Sequence, residues 1–227
     1  MGEPEGMDYS FDFSLILANY PVLLRGLVVT LELWVPCFVV GLLVGFGLAL
    51  ARLSRHAWLR LPSLGYIELF RDTPVLIQLI WFFYAFPIIA GVQLSPFLAA
   101  CLGLTLNTSA YCAEIFRGGI QSITRGQWEG ARALGMRHSV ILRRIILPQV
   151  IRRMLPALTN RGIELGKVTS LASVLTVHEL MYQGRLLSST YYRPLEMLST
   201  VALVYFVLIY PGSYLSMRLE TRLARRG

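Results

Sequence analysis

Apolar runs long enough to cross a lipid bilayer alternate along this chain with short polar stretches rich in arginine. A helix needs about 20 apolar residues to span a hydrocarbon core of roughly 30 Å. Five runs come near or above that length, at 26–53, 74–92, 95–116, 154–177 and 194–219. The pattern predicts an all-α integral membrane protein with about five transmembrane helices, since lipid admits only helices or closed barrels as spanning structures. In the first run, Gly41, Gly45 and Gly47 offer a small-residue face suited to close helix packing. A helical lead from Pro62 to Phe70 precedes the second run, and the fourth is the most polar. Ahead of the first run, Tyr9 to Tyr20 alternates apolar and polar residues, which suits an interfacial amphipathic segment or a frayed terminus equally.

Composition supports the same class. The 227 residues are 55% hydrophobic and only 15% charged, with a mean hydropathy of +0.58, whereas soluble domains are about a quarter charged. The net charge of +8 is carried by arginine apart from Lys167. A basic chain raises nucleic-acid binding as a function, but the arginines cluster in loops between apolar runs, which is the positive-inside distribution of a membrane protein. Nucleic acid is therefore excluded as a partner, and membrane lipid is expected around the helices. Arg52, Arg55 and Arg60 follow the first run, and eight arginines from Arg117 to Arg153 lie between the third and fourth. The other side holds Glu3, Glu5, Asp8, Asp12, Arg185 and Arg193. This bias predicts an outer N-terminal segment (1–21), a membrane domain (22–219) and a basic cytoplasmic tail (220–227). The acidic start lacks a signal-peptide n-region, so the first helix is expected to remain as the insertion signal. Cys37, Cys101 and Cys112 have neither metal-ligand nor redox-motif spacing, and read as small buried hydrophobes.

The loop at about 124–149 stands apart. It opens as a helix near Trp128-Glu129 with a small face at Gly130, Ala131 and Ala133, turns at Gly135, and re-enters an apolar helix punctuated by Pro148. Glu129, Ala131, Arg132, Gly135, Ile145, Leu147 and Pro148 fall at the spacing of the EAA loop, and the stretch resembles that of permease subunits of bacterial ABC importers. Gly130 departs from it, standing where the family usually has Ala. Leu69 to Leu79, Ala110 to Met136 and Leu155 to Leu175 are similar to the polar amino-acid branch of that family, so the resemblance covers nearly the whole chain. It implies a binding-protein-dependent type-1 ABC permease fold in a bacterial inner membrane. It also implies a homo- or heterodimeric permease partner, a pair of cytoplasmic ATP-binding subunits, a periplasmic solute-binding protein and an amino-acid substrate. The EAA residues would seat in a groove of the ATPase. On this reading the chain is a transport subunit and no enzyme. It binds no cofactor itself, and ATP and Mg belong to the partner ATPase.

Other motifs are weighed on their chemistry. Gly162-x-x-x-Gly166-Lys167 mimics a phosphate loop, but is one residue short and has Val168 where magnesium needs Ser or Thr. Arg161, Glu164 and Lys167 recur every three residues on one helical face beside Asn160. Charges at mid-span cost about 2.5–3.5 kcal/mol each, so they face a polar cavity or one another. Asn160, Arg161, Glu164, Lys167, Thr169 and Ser170 are thus substrate-pathway candidates, and a self-neutralising ladder is the structural reading of the same charges. Compared with the family, Arg161 and Val168 lack negative charge at positions where acids occur, which predicts a neutral or acidic substrate side chain, or a subunit that leaves substrate contact to its partner. Asp72 is expected to cap the helix opened by Pro74 and to pair with Arg71, while Glu68 and Glu114 are expected to pair with Arg71 and Arg117. An ion-coupled secondary transporter or channel is the alternative function, but a simple carrier has no use for a docking helix. A non-transporting scaffold is a third.

Overall fold

The computed structural model describes residues 12–224, and its regular elements there are helical. Helix α1 spans Ser14–Leu53. It absorbs Ser14 to Tyr20 as its opening turns, whereas Tyr9 to Phe11 lie outside the described residues. Helix α2 (Ala57–Asp72) is followed by α3 (Val75–Ile80), a π turn (Trp81–Ala85) and α4 (Phe86–Ala90). The chain bends by 107° between Asp72 and Val75. Helix α5 is Pro96–Gln121, α6 Arg125–Ala133 and α7 His138–Ile141. A second π turn (Leu142–Ile146) leads into α8 (Leu147–Val168), which tightens into a 3₁₀ segment (Thr169–Leu175). Helices α9 (Leu180–Tyr191) and α10 (Pro194–Ala224) complete the fold.

Among the described residues, α1 and α10 are long and apolar enough to cross a membrane, and the bent pair from Ala57 to Ala90 makes a third span if counted as one. Helices α5 and α8 correspond to the other two apolar runs. They are diluted by polar side chains, and Asn107, Thr108, Ser109 and Arg161 are buried inside the bundle.

The first helix packs hard against α5 because its glycines remove side chains from the contact. A Cβ on Gly41 would stand 2.8 Å from the Thr108 methyl, and one on Gly45 2.7 Å from the Ser109 carbonyl. Gly47 meets nothing within 4 Å and lies off the packing face, which continues from Gly45 to the buried Ala49. The glycines of the false phosphate loop serve the same purpose: a Cβ would meet Phe38 at 3.1 Å from Gly162 and the Trp34 ring at 2.7 Å from Gly166. Leu33, Leu79, Leu104 and Leu165 fill the central core between α1, α3, α5 and α8.

Each π turn lies just upstream of a proline, Pro87 or Pro148. A proline inside a helix lacks an N–H and crowds the carbonyl four residues back. Widening the preceding turn relieves that crowding: Phe86 N–H donates to the Trp81 carbonyl and Leu147 N–H to that of Leu142, both five residues back.

The bend before α3 corrects the expected Asp72 cap. Asp72 is exposed and takes no part in capping. The buried Gln78 amide instead donates to the Phe70 carbonyl at 2.9 Å, the Thr73 carbonyl at 3.0 Å and the Thr73 hydroxyl at 2.7 Å. Asn107 Nδ2 donates to the same Phe70 carbonyl at 2.8 Å. The free carbonyls at the end of α2 thus find internal donors, as burial demands.

Candidate docking turn and pathway face

Helix α6 starts at Arg125, after extended Thr124, rather than at Trp128-Glu129. Glu129 therefore lies past the first turn, where the dipole of the helix N-terminus has little hold, and is exposed. The end of α6 is a Schellman turn. Gly135 sits at φ 70°, Met136 N–H donates to the Ala131 carbonyl at 3.3 Å, and Gly135 N–H to that of Arg132 at 2.9 Å. Such a left-handed residue is the place for glycine.

Ala131 is buried in a cluster with Ile123, Ile141, Ile146, Val150 and Met154, with Trp128 and Ile145 packed around it. Trp128 also stacks on His138, ring centroids 5.6 Å apart. Arg153 from α8 bonds the Ser122 carbonyl and, at 3.1 Å, its hydroxyl. Gln149 reaches Gln127 at 3.2 Å. The turn is thus fastened to the end of α5 and the start of α8. Its outer face carries Glu129, Arg132 and Leu134, the last 80% exposed. Leu147 is exposed, and Ile145 and Pro148 are half-buried. A Cβ at Gly130 would meet nothing within 4 Å, so its departure from Ala is sterically neutral within this chain.

The charges of α8 part company. Arg161 is buried and turns toward α5, donating to Asn107 Oδ1 at 2.7 Å and Thr108 Oγ1 at 3.1 Å, with its guanidinium 4.3 Å over the Tyr111 ring. It also pairs with Glu164 at 3.0 Å. The expected ladder forms only this rung: Lys167 makes no ion pair among the described residues. Asn160, Glu164 and Lys167 share the exposed face of α8 and line a cavity of about 350 Å³ against Ser213 and Ser216 of α10. Asn160 Oδ1 accepts from the Ser216 hydroxyl at 2.8 Å. Thr169 is buried and donates to the Gly166 carbonyl, while half-buried Ser170 donates to that of Lys167.

Two carboxylates organise opposite ends of the bundle. Glu114 pairs with Arg117 as expected, but also gathers Arg52 from α1 and, at 3.8 Å, Arg71 from α2. Glu68, expected to hold Arg71, forms no ion pair among the described residues and is exposed. At the other end Glu179 is fully buried and caps α9, accepting from the N–H groups of Met181 at 2.9 Å and Tyr182 at 2.7 Å and from the Tyr205 hydroxyl at 2.7 Å. Sequence reasoning missed Glu179, Asn107 and Tyr111. Only Glu179 carried a local signal, an acid placed immediately before an apolar helical stretch.

Comparisons with known proteins agree with this geometry. Residues 41–226 match the family described as the binding-protein-dependent transport system inner membrane component. The chain is 41% identical over 206 residues to the octopine transport system permease protein OccM of Rhizobium radiobacter, covering 87% of this chain and 84% of that protein. It is 37% identical over 223 residues to the glutamate/aspartate import permease protein GltK of Escherichia coli O6:H1, covering 95% and 100%. Among solved structures it superposes on an amino acid ABC transporter crystallised with histidines at a TM-score of 0.86 and 36% identity, covering 94% of this chain and 100% of that one. The MetNI methionine ABC transporter shares the fold at a TM-score of 0.73 and 22% identity, covering 91% and 98%. With regular elements that are helical throughout the described residues and with these relatives, the chain belongs to the inner-membrane permease components of binding-protein-dependent transport systems and has the type-1 ABC permease fold.

Proposed function

We propose that this permease imports a polar amino acid as one of two paired membrane subunits, driven by a separate pair of cytoplasmic ATP-binding subunits and fed by a periplasmic solute-binding protein. The observation that carries the proposal is the turn at α6 and Gly135, which is clamped to α5 and α8 yet presents Glu129, Arg132 and Leu134 outward. Closing the ATPase pair on ATP draws two such turns together and tilts the helices to which they are fastened. The pathway then opens outward to receive substrate, and hydrolysis returns it inward. The ATPase supplies the differential contacts that bias these states. ATP and Mg bind to that partner, and this chain contributes no catalytic residue.

Pairing of permease subunits, as copies or as relatives, is supported by Glu32. It is exposed on α1 among Val28, Val35 and Val39, within an otherwise apolar stripe, and forms no ion pair among the described residues. A lipid-facing charge is unfavourable, so a second permease subunit is the better cover for that stripe. The arginine asymmetry supports an outer N-terminus and a cytoplasmic docking turn. The pathway assignment rests on the exposed face of Asn160, Glu164 and Lys167. There a carboxylate and an ammonium one turn apart complement the zwitterion of an amino acid, and Glu164 is the one acid among the residues lining that cavity. We retain a neutral or acidic side chain as the substrate preference.

Purification of the tagged chain with its ATPase, followed by uptake in proteoliposomes, tests the reading. Uptake is expected to require ATP and to survive collapse of the proton gradient. Uptake driven by the gradient without ATP would overturn it.

A further inference from the structure

A second polar cavity lies away from the Asn160 and Glu164 face. It measures about 630 Å³, within the size range of small-molecule sites, and sits where the 3₁₀ segment meets α9 and the start of α10. Ser173, Thr176, Tyr182, Arg185, Ser188 and Ser189 supply its polar lining. Arg185 is the only charged residue among the lining residues and makes no ion pair among the described residues. The nearby described acids are already engaged. Glu179 is consumed by the N-terminus of α9 and by Tyr205. Glu196 holds Arg193 at 3.3 Å and accepts the Asp12 N–H at 3.2 Å. The Ser14 hydroxyl and N–H bond the Asp12 carboxylate at 2.5 Å and 2.9 Å and hold its pKa below the usual carboxylate range.

The wall of this cavity includes a strained residue. Thr176 has φ 59°, a left-handed conformation that is an outlier for a β-branched side chain. The turn is built like that at Gly135, with Val177 N–H donating to the Ala172 carbonyl at 3.3 Å and Thr176 N–H to that of Ser173 at 3.1 Å. Glycine would relieve the strain and delete the hydroxyl from the cavity. Strain held at one point marks a candidate functional position.

The cavity also leads somewhere. It shares Leu198 with a neighbouring cavity of about 360 Å³ that is lined by Lys167, Ser170 and Tyr205. Lys167 in turn borders the cavity of Asn160 and Glu164. Arg185 and Lys167 therefore line neighbouring cavities on either side of Leu198, with no acid among the lining residues of either.

We propose that the Arg185 cavity is an outer relay station for the α-carboxylate of the amino acid in transit, occupied before the carboxylate reaches Lys167. Arg185 binds the carboxylate through its planar guanidinium fork, and the surrounding hydroxyls accept from the substrate ammonium. The proposal rests on the import reading above and on α9 facing the binding protein. Arg185 is exposed, and the hydroxyls grouped around it favour an amino acid, whose ammonium they accept from, over an acidic side chain of the binding protein, which brings no ammonium.

The test uses the complete complex with its ATPase and binding protein in proteoliposomes, at equal amounts of assembled complex, with a radiolabelled mixture of the standard L-amino acids. At saturating binding protein, R185Q is expected to lower ATP-driven uptake about tenfold, the loss of one charge-assisted contact, while R185K retains most of it. The concentration of binding protein giving half-maximal uptake is expected to match the wild type. Unchanged uptake in R185Q would overturn the relay. So would a deficit that vanishes when more binding protein is added, because Arg185 would then be a docking contact. A wild-type complex that moves no amino acid with ATP would instead overturn the import reading on which the relay rests.

Discussion

Two helix ends in this protein have nearly the same backbone and different residues. After α6, Gly135 takes the left-handed position at φ 70°; after the 3₁₀ segment, Thr176 takes it at φ 59°. Both turns are closed by an N–H reaching the carbonyl five residues back, Met136 to Ala131 and Val177 to Ala172. At Gly135 there is open space where a Cβ would go, so only the backbone conformation selects glycine. At Thr176 the chain accepts a residue that the conformation disfavours, and that residue lines a cavity with Arg185. The turn at Gly135 has an unstrained, reproducible shape, which suits the proposed transmission of force. The opposite turn gives up some stability and places a hydroxyl in a polar cavity.

The comparison breaks most visibly at the docking turn. Gly135→Val forces a β-branched residue into the left-handed region at about 1–2 kcal/mol and displaces the face carrying Leu134. ATP-driven uptake is expected to fall about tenfold or more, and co-purification of the ATPase to weaken. Wild-type uptake by this variant would show that the turn does not carry force.

A smaller effect is expected from the carboxylate nearest that end. Glu114→Gln leaves the guanidinium groups of Arg52, Arg71 and Arg117 without their shared anion. Breaking a fully buried pair costs roughly 3–5 kcal/mol. Here the arginine side chains are 21%, 37% and 27% exposed, so water screens them and a loss of about 2 kcal/mol is expected. Thermal denaturation in detergent or nanodiscs would measure it.

The smallest effect sharpens the contrast. Thr176→Gly removes the left-handed strain and adds backbone entropy to the unfolded chain, for a net gain of about 0.5 kcal/mol. Thermal stability is expected to rise slightly while uptake falls. A variant that gains stability and keeps full uptake would show that the Thr176 hydroxyl has no part in transport.

Legibility differed between the two ends for the same reason. The docking turn follows from short-range rules: a small residue facing inward at Ala131, a glycine at the helix end and a proline past the next turn. Those rules act within about five residues, so the sequence displays them. The start of α6 was misplaced because Thr124 opens the helix without a side-chain cap. On α8, periodicity put Arg161, Glu164 and Lys167 on one face, but it was silent on which charge turns inward. Arg161 is drawn away by Asn107, 54 residues distant in sequence. The Glu114 node was likewise legible only in its local pair with Arg117; Arg52 lies 62 residues away. Asp72 looked like a cap, but α3 starts without a side-chain cap, and at the bend it is the buried amide of Gln78 that satisfies the carbonyls ending α2.

By itself the sequence determined the class of the molecule, its apolar runs, the positive bias of one set of loops and the form of the docking turn. Each of these depends on residues close together along the chain or on bulk partition between lipid and water. Tertiary structure alone decided which α8 charges remain on the open face, which carboxylate gathers the arginines, and how Arg185 and Lys167 come to line neighbouring cavities. These outcomes depend on which helix abuts which, and a buried polar group takes whatever partner that packing places within hydrogen-bonding distance.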